Sequence, residues 1–301
     1  MQIGLDFWQA WQNFIVRPYH HQCFYEGYLG TSLELQLLCD NQKTALHIEE
    51  VIKNEITRLE QIFSIFSPNS ELNRLHQSGT SQVSPELLWV LERSLEWTGI
   101  TEGAFNPAIG STWAAWNNAI QIPINSNSDD WEIIAHRTVR VAPSTKLNLN
   151  AIAKGRIADL VCQMALSTAG VEQIMLNLGG DICHAGTQGI AVAIEGTTQT
   201  VRISNQGLAT SGISQRHFSI AGQRYSQIFD PRSNRPIEAV QNVTVIAPDA
   251  SSADVLATAF SVLTPTQSLA LADDLPEIAC LICDKNHTYY QNKRWSQYLV
   301  H

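Results

Sequence analysis

The chain has 301 residues, 44% of them hydrophobic and 16% charged, a globular composition long enough for one large domain or two interlocked ones. Its formal net charge of -9 argues against sequence-independent nucleic-acid binding through phosphates. An anionic small ligand therefore needs a metal or a local cluster of donors, and no stretch is long and apolar enough to span a bilayer.

In chain order, "MQIGLDFWQAWQNFIVRPYHHQC" lacks the basic start and continuous apolar core of a signal peptide. Cys23 follows "YHHQ", without the small apolar residues expected before a lipidated cysteine. The six Cys lie mostly in apolar runs and read as reduced thiols, so the expected location is cytoplasmic. His20 and His21 have no partner at metal-ligand spacing and are expected at the surface. "TSLELQLL" (31–38) alternates like a strand. Ile48, Ile52, Ile56, Leu59 and Phe63 recur at helical spacing over 44–63. "SPELLWVLERSLEW" opens a helix with Ser84 as N-cap and Pro85 as first helical residue. A loop-rich region with aromatics is expected over 101–138.

"LNLNAIAKGRIADLVCQMALSTAG" reads as a loop entering a helix that ends at Gly170. "EQIMLNLGGD" is a strand ending in a Gly-Gly turn, and short strands follow: "IAVAIEG", "TVRISN", "RHFSIA", "NVTVIAP". A hairpin-like turn is expected at Gly222. A helix over 252–263 and a strand over 277–283 complete the chain. Cys280 and Cys283 spell C-x-x-C inside that strand and read as core residues rather than a zinc pair. Helices and strands mix without βαβ alternation, which predicts an α+β fold with no linker between two units.

Several segments could carry chemistry. "NLNAIAKGRIAD" puts Lys154 and Gly155 where a helix N-terminus offers free N–H groups to a diphosphate, or is an ordinary loop leading into a helix with a surface Lys. "TEGAFNPAIG" offers backbone to a planar ring, or is a turn over a buried Phe105. Thr210-Ser211-Gly212 offers hydroxyls and N–H groups. Asp230 is a catalytic carboxylate or the cap of an Asx turn. Gly179-Gly180 with Asp181 allows close backbone approach or a sharp strand turn. In "SSADVLATAFSVL", Ser251 or Ser252 caps a helix and Asp254 in its first turn suits the dipole. Thr258, four residues on, shares that face. The pair offers hard oxygens to a divalent cation, or Thr258 bonds back to its own helix.

Taken in order, "LGTS", "FSPNSELNRL", "TEGAFNPAIG", "NAIAKGRIAD", "LNLGGDICHAG", "LATSG", "RYSQIFDPRSNRP" and "SSADVLATAF" resemble the FAD:protein FMN transferase family, the ApbE-like proteins. The likeness runs from "YLGTSLELQLL" through "EIACLIC". It implies an α+β unit of mixed or antiparallel sheets and packed helices, two-lobed, with an FAD cleft between the lobes. Residues 26–301 would form that domain, with 1–25 an N-terminal extension. It implies Mg²⁺-dependent transfer of the FMN part of FAD to a Ser or Thr hydroxyl of an acceptor protein, with release of AMP. Some members of the family instead hydrolyse FAD.

The resemblance assigns the metal to Asp254, Thr258 and the carbonyl of Ala151. It places Leu29, Phe66, Ala104, Phe105, Asn106, Asn148, Lys154 and Ile228 around the nucleotide. Lys154, Asp230 and Gln227 fall at catalytic positions. This chain departs from the family pattern at four of its motif positions. Gln227 stands for the usual His of His-x-x-Asp-Pro, Asn148 for an acid before the metal loop, Asn106 for an Asp, and His76 for an Asn. Three readings follow: an active transferase, a weakened FAD-binding protein, or an FAD diphosphatase. Family acceptors carry an acidic residue followed by Ser/Thr-Gly-Ala-Thr/Ser, a motif absent from this chain.

Overall fold

The computed structural model describes residues 18–117, 130–212, 217–220 and 223–300. β1 (Tyr19–Tyr28) and β2 (Thr31–Cys39) open the fold as an antiparallel pair. β1 crosses residue 25, the expected end of an N-terminal extension, so residues 19–25 belong to the sheet. Leu33, Leu35 and Leu37 of β2 are buried, as the alternation requires. α1 (Gln42–Phe63) begins two residues before the expected span, where the Asn41 side chain accepts the N–H of Thr44. The ladder from Ile48 to Phe63 faces the core.

α2 (Glu71–Ser78), β3 (Thr80–Gln82) and α3 (Pro85–Ile100) follow, α3 capped by Ser84 as expected. The stretch expected as loop holds α4 (Gly110–Asn117) and β4 (Trp131–Ala135), with β5 (Thr138–Val141) starting at its last residue, while 118–129 lie outside the described residues. "GSTWAAWN" has no alternation of polar and apolar faces, so periodicity could not reveal α4.

α5 (Asn150–Leu166) stops four residues before Gly170. The Ser167 and Thr168 hydroxyls bond back to Gln163 and Met164 carbonyls, and Gly170, at φ 86°, turns the chain into β6 (Val171–Leu178). β7 (Asp181–Gly186), β8 (Ile190–Ala193), β9 (Thr200–Ile203) and β10 (Gln206–Gly212) continue the fold. β11 (His217–Ile220), β12 (Gln223–Ser226), β13 (Phe229–Asp230), β14 (Arg235–Pro236) and β15 (Val240–Ala247) follow. The expected turn at Gly222 lies outside the described residues. The chain closes with α6 (Ala250–Val262), α7 (Pro265–Asp274), β16 (Ala279–Asp284) and β17 (Tyr289–Gln291).

The main sheet has eight strands in the order β1-β2-β6-β7-β10-β15-β16-β17, and the pairings among the described strands are antiparallel. Each face has its own core. Ile174 and Leu176 join the larger core, which α1, α5 and α6 cover. Met175, between them, joins a smaller core with Val201, Leu281 and Trp295. Cys280 and Cys283 are both buried in β16. The fold is α+β with antiparallel sheets.

One surface expectation is corrected. His20 is exposed, but His21 turns inward and its Nε2 lies 2.6 Å from Glu49 on α1. Tyr25 and Lys53 also contact that carboxylate. Alternation along β1 sends residues 21, 23 and 25 to the same side, and the helix supplies the acid.

Candidate active site

A cavity of about 440 Å³ opens where the N-terminus of α5, one face of α6 and the ends of β7 and β10 converge. α6 is buried on nearly every side. From Ala250 to Ser261 each residue is buried except Thr258. Thr258 and Asp254, one helical turn apart, both line the cavity, Asp254 with 6% of its surface exposed.

The start of α6 corrects the sequence reading. Asp249, not Ser251 or Ser252, is the N-cap and accepts the N–H of Ser252 at 2.7 Å. Asp254 is thereby the fifth helical residue, beyond the first turn where the helix dipole rewards an acid. Its carboxylate needs another partner. Lys154 Nζ stands 3.5 Å away and the N–H of Gly155 also 3.5 Å.

Ala151, Lys154 and Asn148 line the same wall. Asn148 shapes the loop ahead of α5: its side chain accepts the N–H of Asn150, and its own N–H goes to the carbonyl of Pro107. His76 holds the preceding residue, its Nε2 accepting the N–H of Leu147 at 2.9 Å. Burial, then the charge of Lys146, push its imidazole down to about 4, so the ring stays neutral.

The Ala104-Phe105-Asn106 segment adds a second part of the lining. Glu102 and Gly103 take positive φ in succession, and the Thr101 hydroxyl receives the N–H of Phe105 at 3.1 Å. The Asn106 side chain accepts the N–H of Ala108. Gln227, Ile228 and Phe229 lead into β13 and line the third side. α4 braces that strand: the Thr112 hydroxyl and the Trp116 indole both donate to Asn234 in the turn beyond it.

Three expected residues do not reach the cavity lining. Asp230 accepts the backbone N–H of Arg232 and pairs with its guanidinium at 2.9 and 3.0 Å, so it is the Asx-turn residue that the sequence also allowed. Phe66 is 68% exposed at the tip of the 64–67 loop, which Asn73 ties down through three carbonyls. Leu29 occupies the β1–β2 turn at φ 51° and packs against the core, while its neighbours Thr31 and Ser32 line the cavity.

The cavity also gathers Asp181 and the Thr210-Ser211-Gly212 segment, both candidates in the sequence, with Asn177, Glu195 and Asn242, which the sequence did not single out. Asp181 is buried and forms an ion pair with Lys154. The Gly-Gly turn was the available signal for Asp181. Gly179, at φ 61°, lies so close to Thr31 that a Cβ would meet its hydroxyl at 2.0 Å. That close approach delivers Asp181 to the cavity. Among the described residues, the lining sets the carboxylates of Asp181, Glu195 and Asp254 against the ammonium of Lys154. A phosphate-bearing ligand would meet an excess of carboxylates among these described lining residues.

Comparisons with known proteins identify the family and the fold. The ApbE family pattern matches residues 29–282. The chain is 26% identical over 306 residues to the FAD:protein FMN transferase of Vibrio cholerae, covering 90% of each. It is 29% identical over 277 residues to that of Rhodobacter capsulatus, spanning 83% of this chain and 51% of the longer relative. The crystal structure of the ApbE protein of Thermotoga maritima has the same fold, with a TM-score of 0.81 at 23% identity over 94% of this chain and 100% of that one. This chain belongs to the ApbE family.

Proposed function

We infer that the protein is a flavin transferase, which moves the FMN part of FAD onto a target protein in the manner of its FAD:protein FMN transferase relatives. One observation carries the assignment of the site. Asp254 and Thr258 form the polar stripe of an otherwise buried helix, and they open into the cavity that Lys154 and Ala151 line. The acceptor group is a Ser or Thr hydroxyl. Its oxygen bonds to the FMN phosphorus, the bond from that phosphorus to the oxygen of the AMP phosphate breaks, and AMP leaves.

A divalent cation fits the residues present. A carboxylate, a hydroxyl and a backbone carbonyl are the hard oxygen donors that Mg²⁺ takes. The excess of carboxylates over Lys154 calls for a cation once a diphosphate enters. Asp254, Thr258 and the Ala151 carbonyl would hold it. When bound, the ion neutralises the diphosphate and the charge that gathers on the departing phosphate. Lys154 adds a fixed cation beside the same oxygens. Ala104, Phe105, Asn106 and Ile228 line the cavity and would hold the nucleotide. Gln227 orients the acceptor hydroxyl by hydrogen bonding but takes no proton, so the proton leaves to water or to a lining carboxylate. Asp230 acts through its turn, which sets Pro231 and Phe229 on the wall.

The six cysteines are free, five of them buried, which fits a reducing compartment, and we place the protein in the cytoplasm. Incubation with FAD, Mg²⁺ and an acceptor peptide bearing the family motif tests the function. AMP release matched by a peptide heavier by one FMN unit, and lost in Asp254→Ala, is the expected result. AMP without a labelled peptide indicates a diphosphatase, and bound FAD without AMP a binding protein.

A further inference from the structure

We propose that Asp159 is a positioning residue that fixes the register of α5 against α6, and so the distance between the two halves of the cation site. The proposal rests on the assignment of that site to Ala151, Asp254 and Thr258.

Ala151, Gly155 and Asp159 are spaced by four and form one stripe of α5. On α6 the facing stripe is Ala250, Asp254 and Thr258. The helices meet in antiparallel order. The two carboxylate oxygens of Asp159 accept the N–H groups of Ala250 and Ser251 at 2.8 and 3.0 Å. Gly155 touches the same turn, where a Cβ would meet the Ala250 carbonyl oxygen at 2.3 Å. At the other end Ala151 and Thr258 line one cavity.

Asp159 takes the first two N–H groups of α6 from a neighbouring helix. α6 has a cap of its own in Asp249, which takes the Ser252 N–H and the Ser251 hydroxyl, both at 2.7 Å. A second carboxylate at one helix end is costly, and burial followed by the Asp249 charge push Asp159 up to about 6. Asp159 adds what Asp249 cannot, a link from the neighbouring helix. A slip of α6 by one residue shifts it by roughly 1.5 Å along its axis. Metal sites tolerate only about 0.2 Å in ligand distance. The Asp159 bonds are thus at the scale that decides cation affinity.

The test compares Asp159→Asn, which keeps the shape but offers one acceptor, with Asp249→Ala, which removes the local cap and leaves the link. Asp159→Ser serves if the Asn variant fails to fold. Mn²⁺ affinity is read by electron paramagnetic resonance on the full chain, and Mg²⁺ dependence by AMP release. Asp159→Asn is expected to weaken Mn²⁺ binding about tenfold or more, the scale of groups that orient metal ligands. The rate at saturating Mg²⁺ should stay within about threefold, because the ligands themselves are intact. Amide hydrogen exchange at Ala250 and Ser251 should rise in the same variant. Asp249→Ala should lower the melting temperature without a comparable loss of Mn²⁺ affinity. Unchanged Mn²⁺ affinity in Asp159→Asn, or an equal loss in Asp249→Ala, overturns the proposal. Undiminished Mn²⁺ binding in Asp254→Ala would instead overturn the cation site on which it rests.

Discussion

The ammonium of Lys154 lies 3.5 Å from the Asp254 carboxylate while it also pairs with Asp181, so one cation from α5 joins β7 to α6 across the cavity floor. The pairs are well shielded, with 14% of the Lys154 side chain and 3% of that of Asp181 exposed. Breaking such a pair leaves an uncompensated buried charge. Lys154→Met should therefore destabilise the protein by about 3 kcal/mol in urea unfolding, besides lowering activity. Adding Asp181→Asn should recover part of that loss, and strictly additive effects would mean the two groups are not coupled.

Asp254→Asn keeps the shape of the side chain and removes its charge. AMP release should fall by about 100-fold or more, because a catalytic metal supplies several kcal/mol of charge stabilisation. Chelation of Mg²⁺ should match it in the unaltered protein. A variant that retains activity and Mg²⁺ dependence would move the metal elsewhere.

Gln227 lines the cavity without a titratable group. Gln227→His should raise the rate by about 100-fold, the low end of what a positioned base contributes. It should also add a limb to the pH–rate profile near the ordinary His pKa of about 6.5. An unchanged profile would show that no base acts from this position.

Gly155→Ala places a methyl group 2.3 Å from the Ala250 carbonyl oxygen and 2.6 Å from the Ser251 Cα, both backbone atoms. The helices must separate. A loss of about 1–3 kcal/mol in stability is expected, with a raised Mg²⁺ requirement. Thermal unfolding and a Mg²⁺ titration check both parts.

His76 gives the stability a pH dependence of known sign. Its folded pKa, about 4, lies below the ordinary value of 6.5, so between the two the unfolded chain binds the extra proton. Stability contributed by this group is full above about 6.5 and is lost as pH falls toward 4. Melting temperatures across that window should fall, and His76→Asn should flatten the slope. An equal slope in the variant would assign the effect to another group.

Much of the fold was legible because local signals agreed with tertiary packing. Ser84 capped α3 as read, the Ile48–Phe63 ladder became the buried face of α1, and "LNLGGD" became strand, turn and strand. α4 was hidden because its short sequence, "GSTWAAWN", does not sort its polar and apolar residues onto separate faces. The start of α6 was misplaced because three closely spaced residues, Asp249, Ser251 and Ser252, can each cap a helix, and packing against Asp159 and Gly155 chooses among them. In the site, the Asp254–Thr258 stripe could be read from spacing alone. The Lys154–Asp181 pair could not, since it joins residues 27 apart through a turn whose geometry depends on Gly179 meeting Thr31. Asp230 shows the converse, a motif position whose carboxylate the fold spends on its own turn.

The most direct test of the central claim is a crystal grown with Mn²⁺ and FAD, examined for the anomalous signal of the ion. The account predicts one Mn²⁺ bound by the Asp254 carboxylate, the Thr258 hydroxyl and the Ala151 carbonyl, with the FAD diphosphate completing its shell beside Lys154. FAD bound in the cavity with Mn²⁺ at other residues, or a diphosphate held there without any ion, would contradict it.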